Sequence, residues 1–345
     1  MRIFLWVLLL VVVAAVVRLA WFMVPVSGAL VSLDEKLVDQ CTRVEVAPGT
    51  EDVTIDPATR IAFVSASERR DPDLPPGGIY ALDLDGDLQP ALVSEDAPED
   101  FRPHGISLWT GDAGEKRLFV ISHPKAGGHV VEIFDVGADG ALTHVKGVSF
   151  DDMHSPNDLV AVSGEAFYAS NDRGFSDGLM AQLETYFALP FSSAVYWDGA
   201  SGGIAVPGLA FANGINVSAD GGTIYIAEFL RHLVGVYDRD QETGVLTRTG
   251  TLPVGTGVDN IEIAEDGALW IGSHPKAFEF LAHAEDPTAV ASSQVVRVDP
   301  ETGKVDEVLV DLSGKLSASS VGAVNGNTLV VGAVFDSGVL VCPLP

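Results

Sequence analysis

The stretch Ser155-Pro156-Asn157-Asp158-Leu159-Val160-Ala161-Val162 places a carboxamide and a carboxylate side by side, directly before a short apolar strand. The same arrangement, with small variations, precedes five other apolar runs, about fifty residues apart. The other copies are Glu51-Asp52, Pro103-His104, Ala212-Asn213, Asp259-Asn260 and a weaker copy, Ser319-Ser320. A repeat of this length, built from short strands, predicts a β-propeller. The alternative is six ordinary strands that each follow a polar turn.

The chemistry of the repeated position favours the propeller. The innermost strand of each blade lines the central channel, so the first residues of these strands would meet at one mouth. Carboxylate and carboxamide oxygens that converge in this way are the ligands of a hard cation such as calcium. The candidate ligands are Glu51, Asn157, Asn213, Asp259 and Asn260.

Two further apolar runs follow each inner strand, which predicts six blades of three strands each. We therefore expect an all-β, six-bladed β-propeller over residues 34–345, with residues 34–50 as a polar lead into it. The charged residues and three prolines in residues 66–77 predict a mobile surface loop there. Residues 177–191 predict a short helical insertion, which either packs on the propeller or forms an apolar wall beside the substrate.

The N-terminus has a different character. Residues 3–17 are apolar without a break, Arg18 interrupts, and residues 19–26 are apolar again. Residues 1–33 therefore predict a hydrophobic helix that anchors the protein in a membrane, or a signal peptide cleaved near Ser27-Gly28-Ala29. Either interpretation places the propeller on the extracytoplasmic side or makes it secreted. The net charge of −28 argues against nucleic acid as a partner.

The two cysteines, Cys41 and Cys342, lie close to the two ends of the predicted propeller. In an oxidising compartment they would form a disulfide that joins the termini of a circular fold. The alternative is two unrelated buried thiols.

The histidines distinguish an enzyme from a metal-stabilised scaffold. His104 starts the second inner strand and His123 ends the next strand, so an antiparallel turn should bring the two rings together. Such a pair beside a metal can activate water. His274 and His232 could lie near the same mouth. A zinc site is not favoured, because neither His-x-x-x-His nor a paired-cysteine pattern occurs in the sequence. A serine hydrolase is not favoured either, because the Gly-x-Ser-x-Gly matches at 174–178 and 199–203 belong to a predicted propeller and not to the α/β sheet that a nucleophile elbow requires.

With these residues in view, the chain resembles the paraoxonase/arylesterase family from about Cys41 to Cys342. The resemblance is carried by FRPHGIS (101–107), NDLVAV (157–162), FANGINVS (211–218) and VDNIEI (258–263), with NDRGFSD (171–177) and SHPK (273–276) in support. Several motifs in one order are far more specific than any one of them. The resemblance implies a six-bladed propeller that holds two calcium ions in its tunnel.

The resemblance also implies residue roles. Glu51, Asn157, Asn213, Asp259 and Asn260 would bind the catalytic calcium, and Asp52, Asp158 and the carbonyl of Ile106 a structural calcium. His104 and His123 would be the histidine pair, Cys41–Cys342 the disulfide, and the N-terminal segment a retained anchor. Two departures affect the substrate wall: Arg173-Gly174 replaces a His-Tyr pair, and Ser273 stands where some members have a cysteine. The loop 66–77 also differs throughout.

The expected activity is a calcium-dependent hydrolysis of lactones and aryl esters. His104, helped by His123, would activate water, with Asp259 as an alternative base or nucleophile. One rival is a gluconolactonase-type sugar lactonase, against which the doublets Glu51-Asp52 and Asn157-Asp158 speak, since they supply a second metal site. The other rival is a non-catalytic, calcium-stabilised propeller that binds a partner.

Overall fold

The computed structural model describes residues 2–71 and 73–345, with Arg2 described by its backbone alone. Six four-stranded antiparallel sheets form the blades of a propeller, which confirms the predicted fold class. In each sheet the innermost strand is one of the six repeats found in the sequence.

The described residues contain 24 strands and three α-helices. The strands are β1 (Thr42–Glu45), β2 (Asp52–Ile55), β3 (Ile61–Ala66), β4 (Gly78–Asp83), β5 (Ala91–Leu92), β6 (Pro103–Thr110), β7 (Lys116–Ser122), β8 (Val130–Val136), β9 (Leu142–Val148), β10 (Pro156–Ala161), β11 (Phe167–Asn171), β12 (Ser192–Trp197), β13 (Gly202–Leu209), β14 (Ala212–Val217), β15 (Thr223–Glu228), β16 (Leu233–Arg239), β17 (Leu246–Pro253), β18 (Gly257–Ile263), β19 (Leu269–His274), β20 (Ser293–Val298), β21 (Val305–Asp311), β22 (Ser319–Asn325), β23 (Thr328–Ala333) and β24 (Gly338–Pro343). The helices are α1 (Arg2–Ser27), α2 (Gly178–Phe187) and α3 (Ala277–Glu285).

The blades follow one another in sequence, and the last one closes the ring. Blades one to five are β2–β5, β6–β9, β10–β13, β14–β17 and β18–β21. Blade six has the order β1-β24-β23-β22, so its outermost strand comes from the start of the propeller. The interpretation of residues 34–50 as only a polar lead is therefore wrong, because Thr42–Glu45 pairs antiparallel with β24. The disulfide Cys41–Cys342 fastens the same junction.

The hydrophobic core lies between neighbouring blades. Aliphatic and aromatic side chains of the middle strands are fully buried there. One example is the cluster around Phe119, Ile133 and Phe167 between blades two and three. Because both faces of these strands are covered, their sequences are nearly continuous apolar runs. The packed blades hold the inner strands, and the polar residues at their starts, in fixed positions around the tunnel.

The helices gather at one end of the propeller. α1 matches the predicted hydrophobic helix. Its residues 3–17 are exposed and are not buried against the propeller. Val26 near its end packs with Leu230 and with Ala277 of α3. α2 lies inside the predicted helical insertion 177–191, whereas α3 was not predicted.

Candidate metal centre and active site

In most of the repeats the polar residues at the start of the inner strand lie at breaks in strand pairing, whereas Asp52 of blade one pairs regularly with Ser65. The pairing of the inner strand with its neighbour is irregular between Pro103 and Ile106, between Pro156 and Leu159, between Ala212 and Ile215, and between Val258 and Ile261. A β-bulge leaves an extra residue out of the ladder and re-aims side chains, and bulges are common next to active sites. The doublets Asn157-Asp158 and Asp259-Asn260 are therefore freed from regular pairing at the tunnel mouth.

Glycine alternates with the doublets because neighbouring inner strands approach closely. A Cβ atom on Gly105 would lie 2.7 Å from the carbonyl oxygen of Asn157, and one on Gly214 would lie 2.4 Å from that of Asp259. A side chain at either position would push the adjacent inner strand away. Blades two and four thus contribute one polar side chain each, while blades one, three and five contribute two.

Four oxygens at the mouth are buried and have no hydrogen-bond partner. They are Glu51 Oε2, Asn157 Oδ1, Asn213 Oδ1 and Asn260 Oδ1. The other oxygen of Glu51 accepts a 3.0 Å hydrogen bond from the Asn260 amide. Buried polar atoms without partners are costly, so their convergence fits a bound cation that the ligand set would satisfy. With Asp259 these residues make up the "mouth ring" (Glu51, Asn157, Asn213, Asp259 and Asn260), which is the predicted ligand set for the catalytic calcium.

Asp259, the fifth residue of the mouth ring, pairs with a histidine. Its Oδ2 lies 2.7 Å from Nε2 of His274, and both side chains are buried. Burial raises the pKa of the Asp259 carboxyl, although His274 opposes the shift. The His274 ring packs against Phe280, with 4.4 Å between ring centroids. The structure therefore places His274 at this mouth.

A second acidic group lies beside the ring. Asp52 and Asp158, here called the "carboxylate pair", are buried, and each accepts two backbone N–H groups. Burial, reinforced by nearby acidic groups, raises the pKa of both carboxyls well above the ordinary value. The N–H of Ile106 donates to Asp52 at 2.7 Å, which puts Ile106 beside the predicted structural site; its carbonyl remains the predicted ligand.

Glu262 adds a carboxyl that the sequence analysis did not select. It lies on β18 two residues beyond Asn260, and its negative charge contributes to the raised pKa values of Asp52 and Asp158. Burial raises the pKa of Glu262 itself to about 8, with a hydrogen bond to Thr54 opposing the shift. Because Asp52, Asp158 and Glu262 are close enough to repel one another, burial and this repulsion favour their protonated forms.

The predicted proximity of His104 and His123 is confirmed, since His104 Nδ1 lies 2.8 Å from His123 Nε2. Nε2 of His104 is 3.5 Å from Oε1 of Glu51 and so faces the mouth ring. His123 Nδ1 contacts a third ring, that of His129, at 2.7 Å. Burial lowers the pKa of His123 well below its ordinary value, and the neighbouring histidines lower it further.

A cavity of about 410 Å³ opens over the mouth ring and His104. Its walls are mainly aromatic and aliphatic, and come from the end of α1, from α2, from α3 and from the loops: Phe22, Met23, Val26, Tyr186, Phe211, Phe229, Leu230, Phe278, Phe280, Leu281 and Phe335. The interpretation of α2 as part of an apolar wall is the one that its position supports. His232 instead lines a neighbouring depression beside α1.

The loop 66–77 does more than cover the surface. It brings Arg69 into the cavity, with its Nη2 3.8 Å from Oε2 of Glu51 and the guanidinium largely buried. Burial lowers the pKa of Arg69, while Glu51 and Asp259 oppose that shift. Burial alone would raise the pKa of Glu51, but His104 and Arg69 hold it below the ordinary value. No sequence pattern marked Arg69, because its position depends on how the loop folds over the mouth.

The donor chemistry at the mouth is that of oxygen ligands. Among residues 2–71 and 73–345, no three His, Cys, Asp or Glu side chains form a group that could hold a metal ion by themselves. The mouth ring differs from such groups because three of its five members are asparagines. Amide and carboxylate oxygens together suit calcium.

Comparison with known proteins assigns the family. The family model described as Arylesterase matches residues 48–344. Human serum paraoxonase/arylesterase 1 is 34% identical over 313 residues, which is 87% of this chain and 87% of that protein. Among solved structures, a gluconolactonase from Xanthomonas campestris (TM-score 0.55, 16% identity, 90% of this chain and 92% of that one) and the calcium-binding protein regucalcin from Agrobacterium tumefaciens (TM-score 0.52, 14% identity, 90% and 94%) share the fold. With most of the propeller matched by the family model, the chain belongs to the arylesterase family.

Proposed function

We propose that this chain is a calcium-dependent hydrolase of lactones and aryl esters, which acts at the mouth ring. The observation that supports this most is the group of four buried oxygens without partners, set beside the imidazole of His104. An oxygen cage of this kind, open to an apolar cavity, suits a metal that binds a carbonyl oxygen while a nearby base activates water. Family membership supports the same reaction.

The mouth ring residues hold the proposed catalytic calcium. When bound there, calcium polarises the ester carbonyl and stabilises the oxyanion that forms. Asp259 is kept in place by its hydrogen bond to His274. The carboxylate pair, with the carbonyl of Ile106, is the proposed holder of a second, structural calcium.

His104 is the proposed general base. Its Nε2 faces the ring, and its Nδ1 is engaged by His123, so the ring orientation is fixed and Nε2 is free to take a proton from water. Asp259 is the alternative base or nucleophile. The mainly aromatic and aliphatic walls of the cavity favour substrates with apolar acyl or aryl groups over a hydroxyl-rich sugar lactone, the rival substrate.

The experiment measures hydrolysis of phenyl acetate and of an aliphatic lactone, with and without a calcium chelator. We expect both activities to disappear with chelation and to return with calcium. His104→Ala should retain calcium and lose about 10²–10⁴ in turnover. Unchanged activity in excess chelator would refute the metal assignment, and a calcium-loaded protein inactive on both substrates would favour the non-catalytic propeller.

The N-terminal helix is proposed as a retained anchor, with residues 1–33 in or at a membrane and the propeller 34–345 outside the cytoplasm. α1 is long and apolar enough to cross a bilayer, with a mean hydropathy of 2.9. Its end also forms part of the cavity wall, through Phe22, Met23 and Val26, so cleavage near Ser27 would remove that wall. N-terminal sequencing of the exported protein tests this: a new terminus after residue 26 would refute the anchor.

A further inference from the structure

We propose that His129 extends the His104–His123 pair into a three-histidine relay that carries the proton released by hydrolysis from the tunnel mouth to the protein surface. This inference rests on the proposed function, because it assigns a route for the proton that His104 takes up. The juxtaposition that carries it is an unbroken series of ring nitrogen contacts from His104 to His129.

The three rings lie in blade two and are brought together by its local structure. His104 is the second residue of β6, His123 directly follows β7, and His129 directly precedes β8. The turn between β7 and β8 contains Gly127 and Gly128, both with positive φ, which lets the chain reverse tightly. The reversal places Nδ1 of His129 2.7 Å from Nδ1 of His123, while Nε2 of His123 is 2.8 Å from Nδ1 of His104.

One arrangement of protons makes this series ready to act as a base. In this arrangement the proton of neutral His129 is on Nε2, the nitrogen that does not contact His123. Nδ1 of a neutral His129 is then an acceptor and takes the Nδ1–H of His123. Nε2 of His123 in turn accepts the Nδ1–H of His104, so Nε2 of His104 carries a lone pair towards the mouth ring.

Each ring in this series takes up one proton and gives another to the next ring or to solvent. Water attacks the ester carbon, and its proton goes to His104 Nε2 as the new C–O bond forms. The Nδ1 proton of His104 moves to Nε2 of His123, and the Nδ1 proton of His123 moves to Nδ1 of His129. The C–O bond to the leaving group then breaks, and the departing alkoxide takes the second proton of the attacking water. Ester hydrolysis at neutral pH thus yields a carboxylate, an alcohol and one net proton, and that proton leaves from His129 Nε2 to solvent. The three rings are then the opposite tautomers, and ring rotation or proton exchange with solvent restores the starting arrangement.

The surroundings favour the outer end of the series for the positive charge. His123 is half-buried between the other two rings, and desolvation together with its two histidine neighbours lowers its pKa and so disfavours an imidazolium there. Arg69 opposes a positive charge at His123, and the mouth also holds the proposed calcium site. His129 is half-buried and is favoured by the His154 carbonyl and the Asp172 carboxylate, although burial, His104 and the His154 ring lower its pKa.

The test compares the parent protein with His129→Gln and with a matched histidine variant in the same blade. Glutamine can still hydrogen-bond to His123 but cannot relay a proton. His144→Gln is the control, because His144 contacts Glu132 at 2.7 Å on the neighbouring strand and is not part of the series. We expect His129→Gln to lower kcat for lactone hydrolysis about 10-fold, less than removal of the base itself, with KM, calcium content and Tm unchanged. His144→Gln should behave like the parent.

A second readout separates a relay from a merely structural role. In His129→Ala the missing ring leaves room for a small external base, so kcat should rise with imidazole concentration at fixed pH and ionic strength. The parent and His144→Gln should show no such dependence. In the parent, ¹⁵N spectra of the histidine rings should show His123 as the Nδ1–H tautomer.

The outcomes separate this inference from the proposed function. If the parent does not hydrolyse esters, both fall. If the parent and His144→Gln are active, His104→Ala is not, and His129→Gln and His129→Ala retain parental kcat without any imidazole effect, the relay is refuted while the proposed function stands. If His129→Gln lowers Tm or calcium content together with kcat, His129 has a structural role only.

Discussion

The mouth ring and the carboxylate pair both lie at the starts of inner strands, yet the oxygens of the two groups differ in their hydrogen-bond partners. In the ring, four oxygens lack a hydrogen-bond partner. In the pair, each carboxylate accepts backbone N–H groups from its own strand and from the next blade, such as that of Ile215 for Asp158. The ring is thus deficient in donors, whereas the pair has donors but carries negative charge that burial disfavours.

This difference in hydrogen bonding indicates which of the two groups is suited to catalyse hydrolysis. A cation at the ring still faces the open cavity, with room for water and substrate. A cation at the carboxylate pair would join inner strands that are already tied to each other by backbone hydrogen bonds. We therefore expect changes in the ring to affect hydrolysis first, and changes in the pair to affect stability first.

The largest effect is expected for Asp259→Ala, which removes a ring ligand. Hydrolysis of lactones and aryl esters should fall by at least about 10³-fold, because the metal's charge stabilisation is lost with its site. The calcium-dependent part of Tm that comes from the carboxylate pair should remain. Calcium content, Tm and kcat measured on one preparation check this. Retained hydrolysis with reduced thermal stability would reverse the two assignments.

Asp52→Asn tests the other half of the comparison. The amide keeps the size of the side chain but removes one charge from the carboxylate pair, so one bound calcium should be lost. A site that binds only the folded protein contributes roughly 2.7 kcal/mol at free calcium a hundredfold above Kd, and this increment should disappear. Calcium titration followed by thermal unfolding measures it. An Asp52→Asn protein with two calcium ions and parental Tm would remove the pair from the metal sites.

Glu262→Gln tests the carboxylate side of this comparison through the pH dependence of stability in the metal-free protein. The folded-state pKa of Glu262 is raised from 4.5 to about 8, so the unfolded chain ionises first and stability falls as pH rises between these values. With chelator present, parent and variant should unfold alike near pH 4.5. By pH 8 the variant should be more stable by on the order of 2 kcal/mol. Parallel curves over this range would contradict the prediction.

The smallest effect is expected for Arg69→Met. The guanidinium lies 3.8 Å from Glu51 and competes with a cation for the negative charge of the ring. Its removal should tighten calcium binding at the ring by about 10-fold and leave the carboxylate pair unaffected. Arg70→Met is the matched control, since Arg70 packs on Phe335 and donates to the carbonyl of His283. Equal affinities for both variants would show that Arg69 does not act on the ring.

The inner strands and the predicted ring residues were accessible from the sequence for one physical reason. Buried inner strands are continuous apolar runs, and the polar residues at their starts stand out against them. The outer strands were missed because their sequences lack this contrast. β9 (Leu142–Val148) alternates buried and exposed residues and contains His144 and Lys146, and β1 is only four residues long.

The parts of the site that the sequence did not reveal depend on loops. Arg69 and His129 lie outside the strands, in the segment after β3 and in the turn before β8, and they contact Glu51 and His123 from there. A spacing rule based on strands has no access to such positions. α3 was missed for a related reason, because its exposed Phe278 and Leu281 obscure an amphipathic pattern.

The closure of blade six also sets an order of events during synthesis. β1 is among the first segments of the propeller to be made, but its partner β24 is among the last. Blades one to five can assemble from segments close in sequence as they appear, whereas β1 keeps an open edge until residues 338–343 have been made. The bond between Cys41 and Cys342 can therefore form only in a chain that has been synthesised through Cys342. A chain that ends before Gly338 therefore has five complete blades and an unfinished sixth, in which β1 and β23 both lack their shared partner β24 and expose their edges.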